Sequence, residues 1–576
     1  MTRPLTPENQ VSGRLNWTWQ DILLVFAIIT LIFAIVRTAT NFTGAYNSTF
    51  QVDTSLSVLP SYTLQTLIRM VIAYFCSLVF SLVYAYSSYR YKSAAKILIP
   101  LLDVLQSIPV LSIAPGVVLG LIALFPGQRI GIELAAILMI FTGMAWNLVF
   151  SFYQSLRGIP SELKEAARVY GLSGWQRFWT LELPSGAIGL VWNSVMSVAG
   201  GWFFLIAIES LTLGDKNFRL PGLGAYLGAA ADKGNFVALT WGLIVLIGVI
   251  IATDYFIWRP LITWAEKFKY ETVESENVPT SAVLDFIRRS PTFRVITQRV
   301  WKPLSATLSR PKHNQPDAPA TPNYNSSLGV WVNWLFVSGL GFIVLWGTWE
   351  AAMMLKDLNF SDWLSVISGA IWTSIRVFIA LVLSLLWTIP VGVTIGRNPK
   401  LAQLLQPIVQ IAASVPATAL FPVLLLFLIR IGGGLKIGSV ALMMLGTMWY
   451  ILFNVIAGAQ AIPSELFEAA TVYKLKTIQR WQTVILPGIF PYLVTGIITA
   501  VGGAWNASIV SEYVQFQGQT ITTPGLGSII SQASATGKYP LLLAATAVMS
   551  ILVVLTNRLV WRPLYCLAQE KYQLLV

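Results

Sequence analysis

The sequence predicts an all-α polytopic membrane protein of about twelve transmembrane helices, in two six-helix repeats related by a pseudo-twofold axis. Three observations predict it: an apolar, charge-poor composition, twelve apolar segments of membrane-spanning length, and internal repetition at a nearly fixed offset. Hydrophobic residues make up 55% of the 576 and charged residues 11%, with mean hydropathy +0.67, whereas a soluble chain carries about 25% charge. Such a chain would leave a large apolar area facing water. Disorder is excluded by the same numbers, and a disulfide scaffold by the presence of only two cysteines, Cys76 and Cys566. The net charge of +13 would suggest nucleic acid in a soluble protein. Here it fits basic residues retained in cytoplasmic loops, with lipid and not nucleic acid as the surroundings. A single histidine, His313, leaves little material for zinc or proton-relay chemistry, and no metal site is expected.

The first-half spans are expected near 22–38, 64–88, 98–125, 133–156, 186–211 and 236–258. Those of the second half are expected near 331–354, 370–395, 405–430, 437–460, 489–511 and 540–560. Each approaches the ~20 residues a helix needs to cross hydrocarbon, where every backbone group must be satisfied internally. The third and ninth carry internal prolines, Pro109 and Pro115, then Pro416 and Pro422, and are expected to be kinked or broken.

Orientation follows from lysine and arginine at the span ends. Arg90, Lys92 and Lys96 follow the second span, Arg157, Lys164, Arg168 and Arg177 the fourth, and Arg259, Lys267 and Lys269 the sixth. These loops fall on one side, the expected cytoplasmic side, together with both termini. The resulting domains are a cytoplasmic lead (1–20), a first membrane domain (21–264) with a polar loop at about 157–185, a cytoplasmic linker (265–328), and a second membrane domain (329–576) with its loop at about 460–488. The first span reads as an anchor, not a signal peptide. The linker is proline-rich and charged, and Ser275–Arg299 has the pattern of an amphipathic helix lying along the membrane.

Ile159-Pro-Ser-Glu-Leu-Lys-Glu-Ala-Ala167 recurs as Ile462-Pro-Ser-Glu-Leu-Phe-Glu-Ala-Ala470, an offset of 303. The same offset pairs Trp146 with Trp449, Pro184 with Pro487, Glu209 with Glu512, Pro221-Gly-Leu-Gly224 with Pro524-Gly-Leu-Gly527, and Trp258-Arg-Pro260 with Trp561-Arg-Pro563. Upstream the offset is 307 and pairs Arg69 with Arg376, Ser107 with Ser414 and Pro109 with Pro416. Two copies in one orientation should pack about an axis along the membrane normal and line a pathway with paired equivalents.

The loop after the fourth span reads Glu165-Ala166-Ala167, three residues, Gly171, then Leu181-Glu-Leu-Pro184. Its copy reads Glu468-Ala469-Ala470, three residues, Lys474, then Val484-Ile-Leu-Pro487. A short helix, a turn, a second short helix and a proline break are expected, with Ser161 and Ser464 as N-caps. This loop resembles the coupling loop of ABC importer permeases. The resemblance implies the type I importer fold and two ATP-binding cassette subunits on the cytoplasmic side, one per loop. Lys474 departs from the family's glycine. A lysine in a left-handed turn costs about 1 kcal/mol or reshapes the turn, and the second loop is expected to couple less tightly.

Glu209 and Glu512, each followed twelve residues later by Pro-Gly-Leu-Gly, are similar to the permeases of nitrate, sulfonate, taurine and bicarbonate importers. The resemblance implies a fused, duplicated permease for a small anion delivered by an external binding protein. No phosphate-cradling Gly-rich loop is encoded, so this chain is expected to bind no cofactor and to be no enzyme, with ATP and Mg²⁺ held by partner subunits. The alternative reading is an ion-coupled carrier, which needs intramembrane acids that are nearly missing here.

The pathway candidates are Ser107, Pro109, Ser414 and Pro416 in the broken helices, where hydroxyls can donate to an anion. Trp202 and Trp505, beside Gly-Gly pairs, either gate or pack. Arg69 and Arg376 either attract an anion, snorkel to headgroups, or pair with Glu209 and Glu512.

Overall fold

The computed structural model describes residues 51–268, 281–289, 338 and 346–571, except 211, 214–215, 218, 431–433 and 517–518. The expected first span, much of the seventh and most of the linker lie outside the described residues. Among the described residues eight helices are long and apolar enough to cross a membrane, or nine if one bent pair is counted as a span. The protein is thus an all-α polytopic membrane protein. The third and ninth expected spans, expected to be kinked or broken, are each two helices.

The first half runs α1 (Leu59–Arg90), α2 (Lys92–Ser107), α3 (Val110–Leu124), α4 (Ile130–Arg157), α5 (Ser161–Val169), α6 (Gly174–Arg177) and α7 (Leu183–Glu209). The hairpin β1–β2 (Thr212–Leu213, Lys216–Asn217), α8 (Leu223–Asp232), α9 (Phe236–Thr253) and α10 (Arg259–Ala265) follow. Helix α11 (Ala282–Arg289) lies in the linker, inside the segment expected to be amphipathic. The second half repeats the order as α12 (Phe360–Arg397), α13 (Pro399–Ser414), α14 (Ala417–Arg430), α15 (Gly434–Ala461), α16 (Ser464–Val472), α17 (Thr477–Arg480) and α18 (Leu486–Ser511). It ends with the hairpin β3–β4 (Tyr513–Phe516, Gln519–Thr522), α19 (Leu526–Ala535), α20 (Tyr539–Thr556) and α21 (Arg562–Lys571).

Small residues set how the long helices pack. Helix α1 buries Ala73, Ser77, Ser81 and Ala85, one on each successive turn of a single face. Helix α4 comes close enough for Ser81 Oγ to donate to the Ala145 carbonyl at 3.0 Å. The same rows in α12 hold Ala380, Ser384, Thr388 and Gly392, packed on α15. Small side chains let backbones approach and their hydroxyls join neighbouring helices. Phe75, Val79 and Val83 on the other face of α1 are exposed, as a lipid-facing surface requires.

Pro109 and Pro416 do break their helices. The residues before them, Ile108 and Val415, are extended (ψ 124° and 117°), because proline pushes its predecessor out of the helical region. The axes of α13 and α14 meet at 80°. These bent pairs join the halves reciprocally: α2 and α3 pack on α18, α19 and α20, while α13 and α14 pack on α7, α8 and α9.

Pro184 and Pro487 do not break theirs. Residues Gly174–Glu209 and Thr477–Ser511 each form one long span, carried through the proline by a π-helical turn at Phe178–Glu182 and Trp481–Ile485. The same device precedes Pro260 and Pro563, at Asp254–Trp258 and Asn557–Trp561. A proline ring collides with the carbonyl four residues earlier. Widening the turn moves that carbonyl away: Leu183 N–H reaches back to Phe178 O, and Leu486 N–H to Trp481 O.

Candidate functional site

A cavity of about 270 Å³ lies between the halves. Trp146 faces it with its equivalent Trp449, Gly200 with Gly503, and Ile108 with Val415. Its polar lining is neutral: Asn147, Tyr450, Asn506, Asn557 and Trp561 contribute, and no charged side chain does among the described residues. Asn506 also joins the halves, its Oδ1 accepting from Leu111 N–H at 3.4 Å where α3 begins.

The broken helices supply this wall, in the second half through the neighbours of the expected Ser414. Gln106, Ile108, Ala413, Val415 and Pro416 line the cavity, while the Ser414 hydroxyl donates to Gln410 O at 2.8 Å. Ser107 is the last residue of α2, and Pro109 is buried. Trp202 and Trp505 are 2% and 3% exposed, inside the apolar cores.

Arg69 does not snorkel. It is fully buried, donating through Nε to Glu133 Oε2 at 2.5 Å and through Nη1 to Glu209 Oε1 at 2.7 Å. Nη1 also reaches Pro221 O at 3.0 Å, and Thr66 Oγ1 donates to Glu209 Oε1 at 2.9 Å. The other Glu209 oxygen accepts Gly224 N–H at 2.8 Å, so the carboxylate caps the start of α8, where free N–H groups favour negative charge. The motif's glycines follow from this closeness. A Cβ on Gly222 would overlap the Glu209 carboxylate, and one on Gly224 would lie 2.7 Å from Ile206 O.

The second half repeats the cluster. Arg376 Nη1 donates to Glu512 Oε1 at 2.9 Å and to Pro524 O at 2.6 Å, Thr373 Oγ1 donates to Glu512 at 2.9 Å, and Gly527 N–H donates to Glu512 Oε2 at 2.8 Å. The difference is Glu133, whose equivalent is the exposed Lys436. In its place Arg376 Nη2 donates to Thr523 Oγ1 at 2.9 Å. The sequence reading missed Glu133 and the threonines, although Thr66 and Thr373 recur at the same offset of 307 as the arginines.

At the opposite end of α7 and α18 lie the two loops. Glu165 and Glu468 are exposed, Ala166 is half-buried and Ala469 exposed, Ala167 and Ala470 are buried, and Pro184 and Pro487 are half-buried. Val169 and Tyr170 are 85% and 81% exposed, and Val472 and Tyr473 are 78% and 77% exposed. Gly171 and Lys474 both take positive φ. Helix α5 begins at Ser161 with Pro160 in the cap position and no side-chain cap bond, so the expected serine cap is not formed there. The capping box sits one helix later, between Ser173 and Gln176.

These features define a duplicated helical permease with a shared central cavity. Residues 77–256 and 388–560 match the family described as binding-protein-dependent transport system inner membrane component. The two matches cover more than half of the chain, and the chain belongs to this family. It is 28% identical over 180 residues to the taurine transport system permease protein of Escherichia coli (strain K12), covering 31% of this chain and 62% of that one. It is 26% identical over 185 residues to a nitrate import permease protein of Leptolyngbya laminosa, covering 32% and 63%. A bicarbonate transport system permease protein of Synechocystis sp. is 26% identical over 196 residues, covering 30% and 69%. The matches thus span less than two thirds of the taurine and nitrate relatives.

Proposed function

We propose that this chain forms both membrane-spanning halves of an ATP-driven importer for a small anion of the nitrate, sulfonate, taurine or bicarbonate class, in a bacterial-type cytoplasmic membrane. An external binding protein delivers the solute, and two ATP-binding subunits dock on the two loops from the cytoplasmic side. The observation that carries this reading is the repeated loop, which holds Val169-Tyr170 and Val472-Tyr473 out at one end of the molecule. Apolar pairs held in water at two equivalent positions favour a protein partner. The neutral cavity supports an anion: amide and indole donors replace part of its water without a fixed charge that would trap it. A proton-coupled carrier needs a carboxylate facing the path, and Glu133, Glu209 and Glu512 are tied to arginines. The test is capture of ATP-binding subunits by the purified chain and by the Glu165→Arg/Glu468→Arg double variant. Loss of capture with normal insertion is expected, and full capture and full transport by the variant would reject the coupling assignment.

A further inference from the structure

A second cavity, of about 240 Å³, lies between the halves at the hairpin end. Unlike the central one it is charged. Arg219 and Asp232 line it, ion-paired through Nη2 and Oδ2, and they are its only charged lining residues among those described. Three polar atoms of this wall are buried without a hydrogen-bond partner: Arg219 Nε, Thr418 Oγ1 and Ser534 Oγ. Ser534 is itself 8% exposed. Buried polar atoms in native proteins are nearly always partnered, by protein, water or ligand, and three such atoms line this one cavity.

The repeat argues against a purely structural origin. At the offsets of 303 and 307, the counterparts of Arg219, Asp232, Thr418 and Ser534 are Thr522, Ala535, Leu111 and Ala231. The second half is built without the ion pair and the first without either hydroxyl, so the repeated fold itself requires none of the four.

We propose that this cavity is a loading site for a small zwitterion carrying an oxyanion head and an ammonium group. The inference rests on the permease reading above and narrows its substrate class. A bare anion would be drawn by Arg219 and repelled by Asp232, since the pair has no net charge. A zwitterion satisfies both: its oxyanion takes Arg219 Nη2 and Nε as the pair parts, and its ammonium takes the Asp232 carboxylate. The Thr418 and Ser534 hydroxyls supply the remaining neutral contacts.

The test is calorimetric titration of the full chain in lipid nanodiscs with taurine, ethanesulfonate and nitrate. Taurine should bind about tenfold more tightly than ethanesulfonate, which has the sulfonate without the amine. Asp232→Asn should reduce that ratio to about one while retaining ethanesulfonate binding, and Arg219→Gln should lose both ligands. Ser534→Ala, which keeps the ion pair and the charge, should weaken taurine about threefold. Equal binding of taurine and ethanesulfonate, a preference that survives Asp232→Asn, or no taurine binding up to about 50 mM would each overturn the site. A chain that captures ATP-binding subunits and moves nitrate while ignoring taurine keeps the permease reading and rejects this one. Taurine bound at Arg219 with no ATPase capture does the reverse.

Discussion

Gly171 and Lys474 occupy the same left-handed turn, one in each half, with φ of 62° and 52°. Lys474 is the one non-glycine residue with positive φ among those described. Both turns close a Schellman arrangement: Gly171 and Lys474 N–H bond to Arg168 and Thr471 O, and Leu172 and Leu475 N–H to Ala167 and Ala470 O, all within 2.9–3.0 Å. The lysine accepts the unfavourable conformation, and the turn is not reshaped. The turn's own hydrogen bonds are the same in both loops, and a Cβ at Gly171 would meet nothing within 4 Å, so the lysine meets only the backbone penalty.

Lys474→Gly should accordingly strengthen the second turn. Relief of the left-handed penalty is worth about 1 kcal/mol, roughly a fivefold gain in hydrogen-exchange protection of the Leu475 amide. Gly171→Lys should lower protection at Leu172 by a similar factor. Unchanged protection in both variants would show that neighbouring contacts offset the penalty entirely.

The two buried clusters should respond unequally to loss of their shared glutamate. Glu209→Gln leaves Arg69 paired with Glu133. Glu512→Gln leaves Arg376 without a carboxylate among the described residues, with Thr523 Oγ1, Pro524 O and the Trp372 ring as its remaining neighbours. An uncompensated buried charge costs about 3–5 kcal/mol. Thermal unfolding in detergent should therefore fall further for Glu512→Gln than for Glu209→Gln, and introducing Glu at Lys436 should recover part of the difference. Equal losses would mean that Glu133 contributes nothing to holding Arg69.

Much of this architecture was legible because hydrophobicity and repetition are written along the chain. The spans, the pairing of the halves and the loop pattern follow from apolar runs and two offsets. The Arg69–Glu209 pairing was visible only as one alternative, since sequence distance gives no hint that 69, 133, 209 and 221 converge. The direction of a hydroxyl beside a helix break is not legible either, since it can turn back on its own helix, as Ser414 does on Gln410 O. The neutral cavity donors were not legible: Asn147 faces the aromatic equivalent Tyr450, and Asn506 the equivalent Phe203, so the polar positions do not repeat. The hairpins and α8 went unseen because both are too short for a periodic signal.

The cavity prediction moves accordingly to the amides. Asn147→Leu and Asn506→Leu each remove a donor and extend an apolar side chain into the space between the halves. Either should lower ATP-dependent uptake of nitrate or taurine by about tenfold or more, on the scale of a polar group buried without a partner. Both should leave ATPase capture intact, because the loops lie at the far end of α7 and α18. Asn506→Leu should be the more severe, since it also removes the acceptor for Leu111 N–H where α3 begins. Uptake at the level of the unaltered chain in both variants would remove this cavity from the pathway.

The prolines test whether the π-turns set the position of the loops. With Pro184→Ala or Pro487→Ala the ring clash is gone and a missing N–H is restored, so the wide turn can tighten to an ordinary α-turn. Losing one residue of slack rotates everything before the turn by about 100° around the axis of α7 or α18 and advances it by about 1.5 Å. Spin labels on the exposed Glu165 and Glu468 positions read this directly, as a changed distance between the loops in either single variant. The exposed Val-Tyr pair of the altered half would then face a different direction, and ATPase capture by that half should fall while the cavity residues stay in place. If the label distances match those of the unaltered chain, the π-turns are held by the packing around Phe178 and Trp481 and the prolines only tolerate them.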